Sequence, residues 1–127
     1  MSVLPSADRE YLLDKGLFFE EHALGDQKAL ILKAVALPSG RYDQSTTDVL
    51  ILLPSGYPDV RPDMFHTLPW IKLVPENRYP KAADQPVSFN GQSWQRWSRH
   101  SEEWRPGRDG IRTFIKRIEH ALEVAQA

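Results

Sequence analysis

The clearest hydrophobic pattern lies near the end of the chain, where apolar residues recur at helical spacing. After Asp109, apolar residues follow one another at intervals of three and four, and charged residues occupy the positions between them: Ile111, Phe114, Ile115, Ile118, Leu122 and Ala125 against Arg112, Lys116 and Glu119. This spacing is typical of an amphipathic helix that buries one face. Asp109, which follows Pro106-Gly107, is its predicted N-terminal cap.

The first half of the chain predicts a short helix and then strands. Ser6 can cap a helix over Ala7 to Lys15, and Gly16 can end it. Three apolar runs then predict strands, with the turn residues Gly25-Asp26 and Pro38-Ser39-Gly40 between them: residues 17–22, 28–37 and 48–53. A fourth strand is expected over 64–74, bent or at a sheet edge because Pro69 interrupts it.

The order of these elements predicts an α+β fold. A four-stranded antiparallel meander, with short turns between its first strands, would carry an N-terminal helix and a C-terminal helix packed on the sheet. At 127 residues, the chain is expected to form a single domain over 1–127.

A tryptophan-rich segment, residues 88–107, lies between the strands and the last helix. It holds three of the four tryptophans, interleaved with arginines, serines and a histidine. The spacing of its indoles fits neither the strand period nor the helix period, so we predict an irregular segment pinned to the scaffold by Trp94, Trp97 and Trp104. Such a segment can hold functional groups in fixed places. The alternative is a lid that closes one end of the core, with solvated arginines.

Composition narrows the possible chemistry. The chain has no cysteine, which excludes disulfides, thiolate metal sites and a thiol nucleophile. Its four histidines are scattered, so no metal and no cofactor is expected. A net charge of −1 gives no general attraction to nucleic acid or to an anionic membrane. Without a signal-peptide pattern or an apolar run of membrane length, a cytoplasmic location is expected.

Several motifs together resemble the ubiquitin-conjugating (UBC) fold. Tyr57-Pro58 with Pro62 matches the Tyr-Pro-x-x-x-Pro of that family, Asn90-Gly91 matches its Asn-Gly, and Trp104-Arg105-Pro106 matches its Trp-x-Pro. Three longer runs are similar to the bacterial branch of the superfamily: Gly-Tyr-Pro-Asp-x-x-Pro-Asp-Met-Phe, Trp-Gln-Arg-Trp-Ser-Arg-His and Trp-Arg-Pro-Gly. Members of that branch are encoded beside ubiquitin-like proteins, activating-enzyme-like proteins and peptidases. The resemblance therefore implies a ubiquitin-like protein and an activating-enzyme-like protein as partners.

The chain also departs from the family pattern. Conjugating enzymes carry their cargo on a cysteine about eight residues before the tryptophan of Trp-x-Pro, and here that position is Arg96. The His-Pro-Asn segment of the family is absent, and so are the further C-terminal helices of the larger enzymes. The resemblance thus implies either a serine in place of cysteine, with the cargo held as an oxyester, or a non-catalytic module that binds its partners without forming a bond.

For the catalytic hypothesis, Ser98 in Trp-Ser-Arg-His is the preferred nucleophile. If the segment is extended, Ser98 and His100 share a face, and the imidazole can accept the serine proton. Arg96 or Arg99 can stabilise an oxyanion or bind a carboxylate of a partner. Ser93 and Ser101 are competing hydroxyls, and Ser93 lies nearest the position that the Asn-Gly spacing favours.

Two other interpretations remain open. In the non-catalytic one, the tryptophans and arginines anchor an interface, and the Ser98 hydroxyl satisfies a loop amide. Single-stranded nucleic-acid binding would also use aromatic residues interleaved with arginines, but the balanced charge and the UBC resemblance argue against it. By analogy with conjugating enzymes, the N-terminal helix is the candidate surface for the activating enzyme.

Overall fold

A computed structural model describes residues 3–100 and 103–127. The described residues form two helices and six strands. In chain order these are α1 (Ser6–Asp14), β1 (Phe19–Leu24), β2 (Gln27–Ala36), β3 (Thr46–Leu53), β4 (Phe65–Leu68), β5 (Gln85–Phe89), β6 (Gln92–Trp97) and α2 (Ile111–Val124). The α+β class and the two helices are as predicted. None of the described helices has the length and apolar character needed to cross a membrane.

All strands belong to one antiparallel sheet with the order β1-β2-β3-β4-β6-β5. Strands β1 to β4 form a meander, as predicted, in which β1 and β2 are joined by the two-residue turn Gly25-Asp26. Strand β6 then pairs with β4, and β5 pairs with β6 as the outer strand of a hairpin. The sheet therefore has six strands, and the predicted count of four is wrong.

One face of the sheet packs against α2 and α1. Phe114, Ile118 and Leu122 of α2 are buried in a cluster that also includes Ile51 of β3 and Trp97 of β6. This confirms the predicted apolar face of the last helix. Asp109, however, is not its cap: Gly110 holds that position, and the Asp109 carboxylate accepts hydrogen bonds from the Arg105 N–H and the Thr113 hydroxyl instead.

The other face carries a smaller core that the β5–β6 hairpin closes. Phe89 and Trp94 of the hairpin are buried together with Ala29, Ile31 and Leu50 of β2 and β3. Although β1 and β5 are the two edges of the sheet, the ring of Phe89 lies 6.0 Å from that of His22 on β1. The sheet therefore curls strongly, and both of its faces are buried near β6.

Other predicted boundaries change. The first helix begins after Pro5, and Ser6 makes no capping hydrogen bond. Strand β4 covers only four residues of the predicted 64–74, since cis Pro69 cannot donate to a ladder and the chain leaves the sheet there. The largest error concerns residues 88–107: their first half is not irregular but forms most of the β5–β6 hairpin.

Candidate functional site

The β5–β6 hairpin brings the tryptophan-rich segment to its position on the scaffold. Asn90 and Gly91 form its two-residue turn, both with positive φ (50° and 78°), the backbone geometry that favours an Asn-Gly pair in a tight hairpin. The turn sets the register in which Ser88 faces Ser93 and Val87 faces Trp94. Strand β6 thus runs from this turn directly to Ser98, Arg99 and His100.

A buried glutamine fixes the far end of β6. Gln95 is fully buried, and its side chain makes four hydrogen bonds. Its Oε1 accepts from the Thr67 hydroxyl and the Ile71 N–H, both at 2.8 Å, and its Nε2 donates to the carbonyls of Ile71 and Ala83 at 3.1 and 2.8 Å. Trp97 adds a hydrogen bond from Nε1 to the Thr67 hydroxyl at 3.0 Å. Because every polar group of Gln95 is satisfied, the network gives the site a rigid base.

Ser98 and Arg99 follow immediately after β6. The Ser98 N–H donates to the Ala82 carbonyl at 3.0 Å, which holds the backbone, while its side chain is only partly buried. Among the described residues, none forms a hydrogen bond with the Ser98 hydroxyl. The Arg99 guanidinium lies 5.2 Å from the centre of the Trp97 ring and donates to the Ser98 carbonyl at 3.1 Å. Burial lowers the pKa of Arg99, against an opposing effect of Tyr42.

His100 is held by a carboxylate that was not among the predicted site residues. His100 Nδ1 lies 2.8 Å from Asp63 Oδ1, across 37 residues of sequence. The same oxygen accepts from Arg61 at 3.3 Å. Hydrogen bonding to His100, and secondarily to Arg61, lowers the pKa of Asp63. When the carboxylate holds a proton on Nδ1, the lone pair of Nε2 is available to accept another.

A groove of about 510 Å³ lies beside this pair. Its floor is apolar and includes Phe65 of β4 and Phe114 and Ile118 of α2, while Asp63, Arg99 and His100 form part of its rim. Ser98 is not in the lining of the groove. The groove therefore offers an apolar surface next to an imidazole–carboxylate pair and a partly buried guanidinium group.

The structure does not bring all of the predicted site residues together. Ser93 is exposed near the start of β6, about 16 Å of extended strand from Ser98, so these two hydroxyls cannot serve the same site. Arg96 is the ladder partner of buried His66 on β4, and its Nε has no partner among the described residues, whereas Arg99 lies against Trp97 and lines the groove. Burial lowers the pKa of His66, and the charge of Arg96 lowers it further. Ser101 lies outside the described residues.

Two of the motifs that carry the UBC resemblance, Tyr57-Pro58 and Trp104-Arg105-Pro106, meet in space. Trp104 Nε1 donates to the Pro58 carbonyl at 2.8 Å, and the rings of Trp104 and Tyr57 lie 6.4 Å apart. The Tyr57 hydroxyl donates to buried Asp8 of α1 at 2.5 Å, and the other Asp8 oxygen accepts from the Ile111 N–H at the start of α2, 3.4 Å away. Burial, together with the hydrogen bond to Asp8, raises the pKa of Tyr57 well above its usual value. These motifs therefore tie both helices to the connector after β3.

Comparison with protein families gives a match that covers nearly the whole chain. The model of prokaryotic E2 family E matches residues 4–125. The chain belongs to this family of E2-like proteins. The UBC-like identification made from the motifs is thereby confirmed, and family membership indicates an E2-like role. Comparisons with curated proteins and with solved structures give no match.

For an E2-like protein, partners of the ubiquitin-like and activating-enzyme types are indicated in general terms. In this member of prokaryotic E2 family E the whole chain lacks cysteine, so any covalent link to a cargo must use another nucleophile. Within residues 3–100 and 103–127, no three His, Asp or Glu side chains are grouped so that they could hold a metal ion. The chemistry available at the end of β6 is that of a hydroxyl, an imidazole–carboxylate pair and a guanidinium group.

Proposed function

We propose that this protein is an E2-like carrier that receives a ubiquitin-like protein from an activating enzyme, holds it as an oxyester on Ser98 and passes it to a target. The observation that carries the proposal is the His100–Asp63 pair, two residues from Ser98 at the rigid end of β6. Family membership supplies the E2-like role, and the missing cysteine requires a different nucleophile.

In this proposal His100 is the general base. Neighbouring residues in extended chain are at most about 3.6 Å apart, so the Cα atoms of Ser98 and His100 lie within about 7 Å, and rotation of the side chains can bring Oγ and Nε2 into hydrogen-bond distance. Ser98 Oγ then attacks the activated C-terminal carbonyl of the cargo, and a new C–O bond forms. His100 Nε2 takes the serine proton, and the bond to the activating enzyme breaks.

The Asp63 carboxylate has a supporting part. It orients the imidazole through Nδ1 and stabilises the imidazolium that forms when Nε2 takes up the proton. Arg99, which is partly desolvated and next to Ser98, is placed to stabilise the oxyanion. Arg99 lines the groove together with His100, whereas Arg96 does not, so we assign the oxyanion role to Arg99 in preference to Arg96.

The test is to incubate the protein with ATP, a ubiquitin-like protein and an activating enzyme. An oxyester adduct survives reducing agent but is cleaved by strong base or hydroxylamine, which separates it from a thioester and from an amide. Ser98→Ala should abolish the adduct, and His100→Ala should slow its formation about 100-fold. Ser93→Ala is the matched control and should leave the adduct unchanged. If instead Ser93→Ala abolishes it, the serine mechanism stands but the assigned site is wrong.

A non-catalytic binding role is the second candidate. One observation favours it: the Ser98 hydroxyl is not bonded to His100 in the structure and does not line the apolar groove. In that case the ubiquitin-like protein would bind non-covalently, and no serine variant would change the amount bound. Persistent binding without any adduct, measured by size-exclusion chromatography of the same mixtures, would favour this candidate.

For the activating enzyme, we propose the surface at the end of α1. Leu13, Leu17 and Phe18 are exposed there, and Phe18 has 78% of its surface accessible. Deleting the first fifteen residues is a poor test, because Leu12 is fully buried in the core and Asp8 ties α1 to α2. Phe18→Asp should instead weaken binding to an activating enzyme without unfolding the protein.

A further inference from the structure

A second cavity, of about 490 Å³, lies at the N-terminal end of α2 and is strongly basic. Four exposed cations line it: Arg105, Arg108, Arg112 and Lys116. Among the residues that the structure describes, Asp109 is the only acidic one in its lining. For a chain with a net charge of −1, this concentration of positive charge is a local feature of one surface.

The cations of this basic cavity are poorly neutralised within the protein. Arg105 Nε lies 3.9 Å from Asp109 Oδ2, an ion pair at the limit of contact. The two Asp109 oxygens are already used, since Oδ2 accepts the Arg105 N–H at 2.7 Å and Oδ1 accepts the Thr113 hydroxyl at 3.1 Å. Among the described residues, no carboxylate forms an ion pair with Arg108, Arg112 or Lys116.

The placement of these cations is also unfavourable for the helix. The N-terminal end of a helix carries a partial positive charge, so basic side chains in its first turn destabilise it. Arg112 lies in the first turn of α2, which contains no acidic residue, and Arg108 precedes it in the chain. Such an arrangement reduces stability, and a ligand with negative charge would relieve it.

The ligand is not a single anion seated on the helix terminus. The first N–H of α2, that of Ile111, is already bonded to the Asp8 carboxylate. The cations are carried instead on exposed side chains that extend over two turns of α2 and the preceding loop. This distribution fits several negative charges spread along a segment better than one compact ion.

The basic cavity continues into the apolar groove described above. Thr113 and Lys116 line both, so the two form one surface along α2. The groove offers Phe114, Ile118 and Val124 to apolar side chains. A platform for stacking nucleic-acid bases would carry aromatic side chains, but none of the described residues that line the basic cavity is aromatic. Carboxylates alternating with aliphatic side chains are the complementary chemistry.

We propose that this surface docks an acidic, aliphatic-rich segment of a protein partner. The carboxylates of the segment pair with Arg108, Arg112 and Lys116, and its aliphatic side chains enter the groove. The inference does not depend on the chemistry at Ser98, because docking forms no covalent bond and requires neither ATP nor an activating enzyme.

The test is fluorescence anisotropy with a short labelled peptide of Glu, Asp and Leu. The wild-type protein should bind it, and binding should weaken as salt rises. Replacing both Arg112 and Lys116 by Glu should weaken binding at least about tenfold, as expected when charge-assisted hydrogen bonds are lost. The same variant should melt no lower than wild type, because Glu at position 112 suits the helix terminus. If these cations served only to stabilise the fold, the same variant would melt at a lower temperature than wild type.

The matched control is Lys28→Glu with Arg78→Glu, which changes net charge equally at exposed positions outside the basic cavity. It should bind the peptide as wild type does. An equal loss of peptide binding in both variants would show that net charge alone causes it and would overturn the proposal. Tighter binding of a labelled oligodeoxythymidine than of the peptide would overturn it in favour of nucleic acid. Equal binding of a peptide with Gln and Asn in place of Glu and Asp would also overturn it.

Discussion

The two halves of the tryptophan-rich segment differ in secondary structure and in burial. Residues 88–97 form most of a hairpin in which Trp94 and Trp97 are almost fully buried, one on each face of the sheet. Residues 98–107 leave the sheet, contain no helix or strand where they are described, and keep His100 and Arg105 exposed. Two stretches of similar composition therefore differ in structure. Residues 88–97, the fixed half, support the site, and residues 98–107, the open half, present functional groups on the surface.

The difference arises from what the backbone is bonded to. In the fixed half, strand ladders to β4 and β5 satisfy the backbone, and Gln95 ties the strand to the Ile71 and Ala83 backbone. In residues 98–107, distant elements hold the segment at single points: the Asp63 side chain accepts from His100, and the Pro58 carbonyl accepts from Trp104. Local mobility is therefore expected to rise from β6 towards α2.

The largest effect on stability is expected from single tryptophan replacements, compared between the two halves. Trp97→Ala should destabilise the protein by about 3–5 kcal/mol, because it empties a fully buried site stacked on Phe65. Trp104→Ala should cost about 2 kcal/mol, since Trp104 is only partly buried and loses one hydrogen bond. Urea unfolding measures both. Equal losses would show that the open half is packed as firmly as the hairpin.

Replacing a glutamine of β6 should change stability by less than Trp97→Ala does. Gln95→Ala should destabilise the protein by about 3 kcal/mol, because it leaves buried groups of Thr67, Ile71 and Ala83 without their partner. Gln92→Ala, at an exposed position of the same strand, should change stability by less than about 0.5 kcal/mol. A stable Gln95→Ala variant would mean that water replaces the amide and that the network does not fix the end of β6.

Gln95 also shows why the hairpin escaped prediction. A strand buried on one face alternates apolar and polar residues, but β6 is buried on both faces and places an amide in the core, so no period of two is visible. The turn signal was nevertheless present in Asn90-Gly91. The runs 28–37 and 48–53 and the last helix were predictable because burial there follows a regular pattern in the sequence.

The candidate site was predictable only where its residues are neighbours in the chain. Ser98, Arg99 and His100 are consecutive, so their proximity follows from the sequence. Asp63 reaches His100 from the connector between β3 and β4, and no local pattern indicates that contact. The same holds for Asp8 of α1, which accepts a hydrogen bond from the first N–H of α2.

The smallest effect on stability is expected from changing the Asp63 carboxylate, which is also the residue of this group closest to the proposed chemistry. Hydrogen bonding to His100 keeps its folded-state pKa below the usual 3.8. A depressed pKa stabilises the folded state above pH 3.8, and this contribution is lost as the pH falls through the lower folded-state value. Because both side chains are 56% exposed, solvent screens the pair, and Asp63→Asn should cost less than about 1 kcal/mol at pH 7.

The difference between wild type and Asp63→Asn should therefore shrink towards zero in acid, when both carry a neutral side chain at position 63. Thermal unfolding across pH 2 to pH 7 measures it, and Asp26→Asn in the exposed β1–β2 turn is the matched control. The asparagine can still accept a hydrogen bond from His100 Nδ1 but cannot stabilise an imidazolium by charge. Oxyester formation in Asp63→Asn should thus fall at neutral pH by more than the small stability loss explains. An unchanged rate would remove Asp63 from the proposed mechanism.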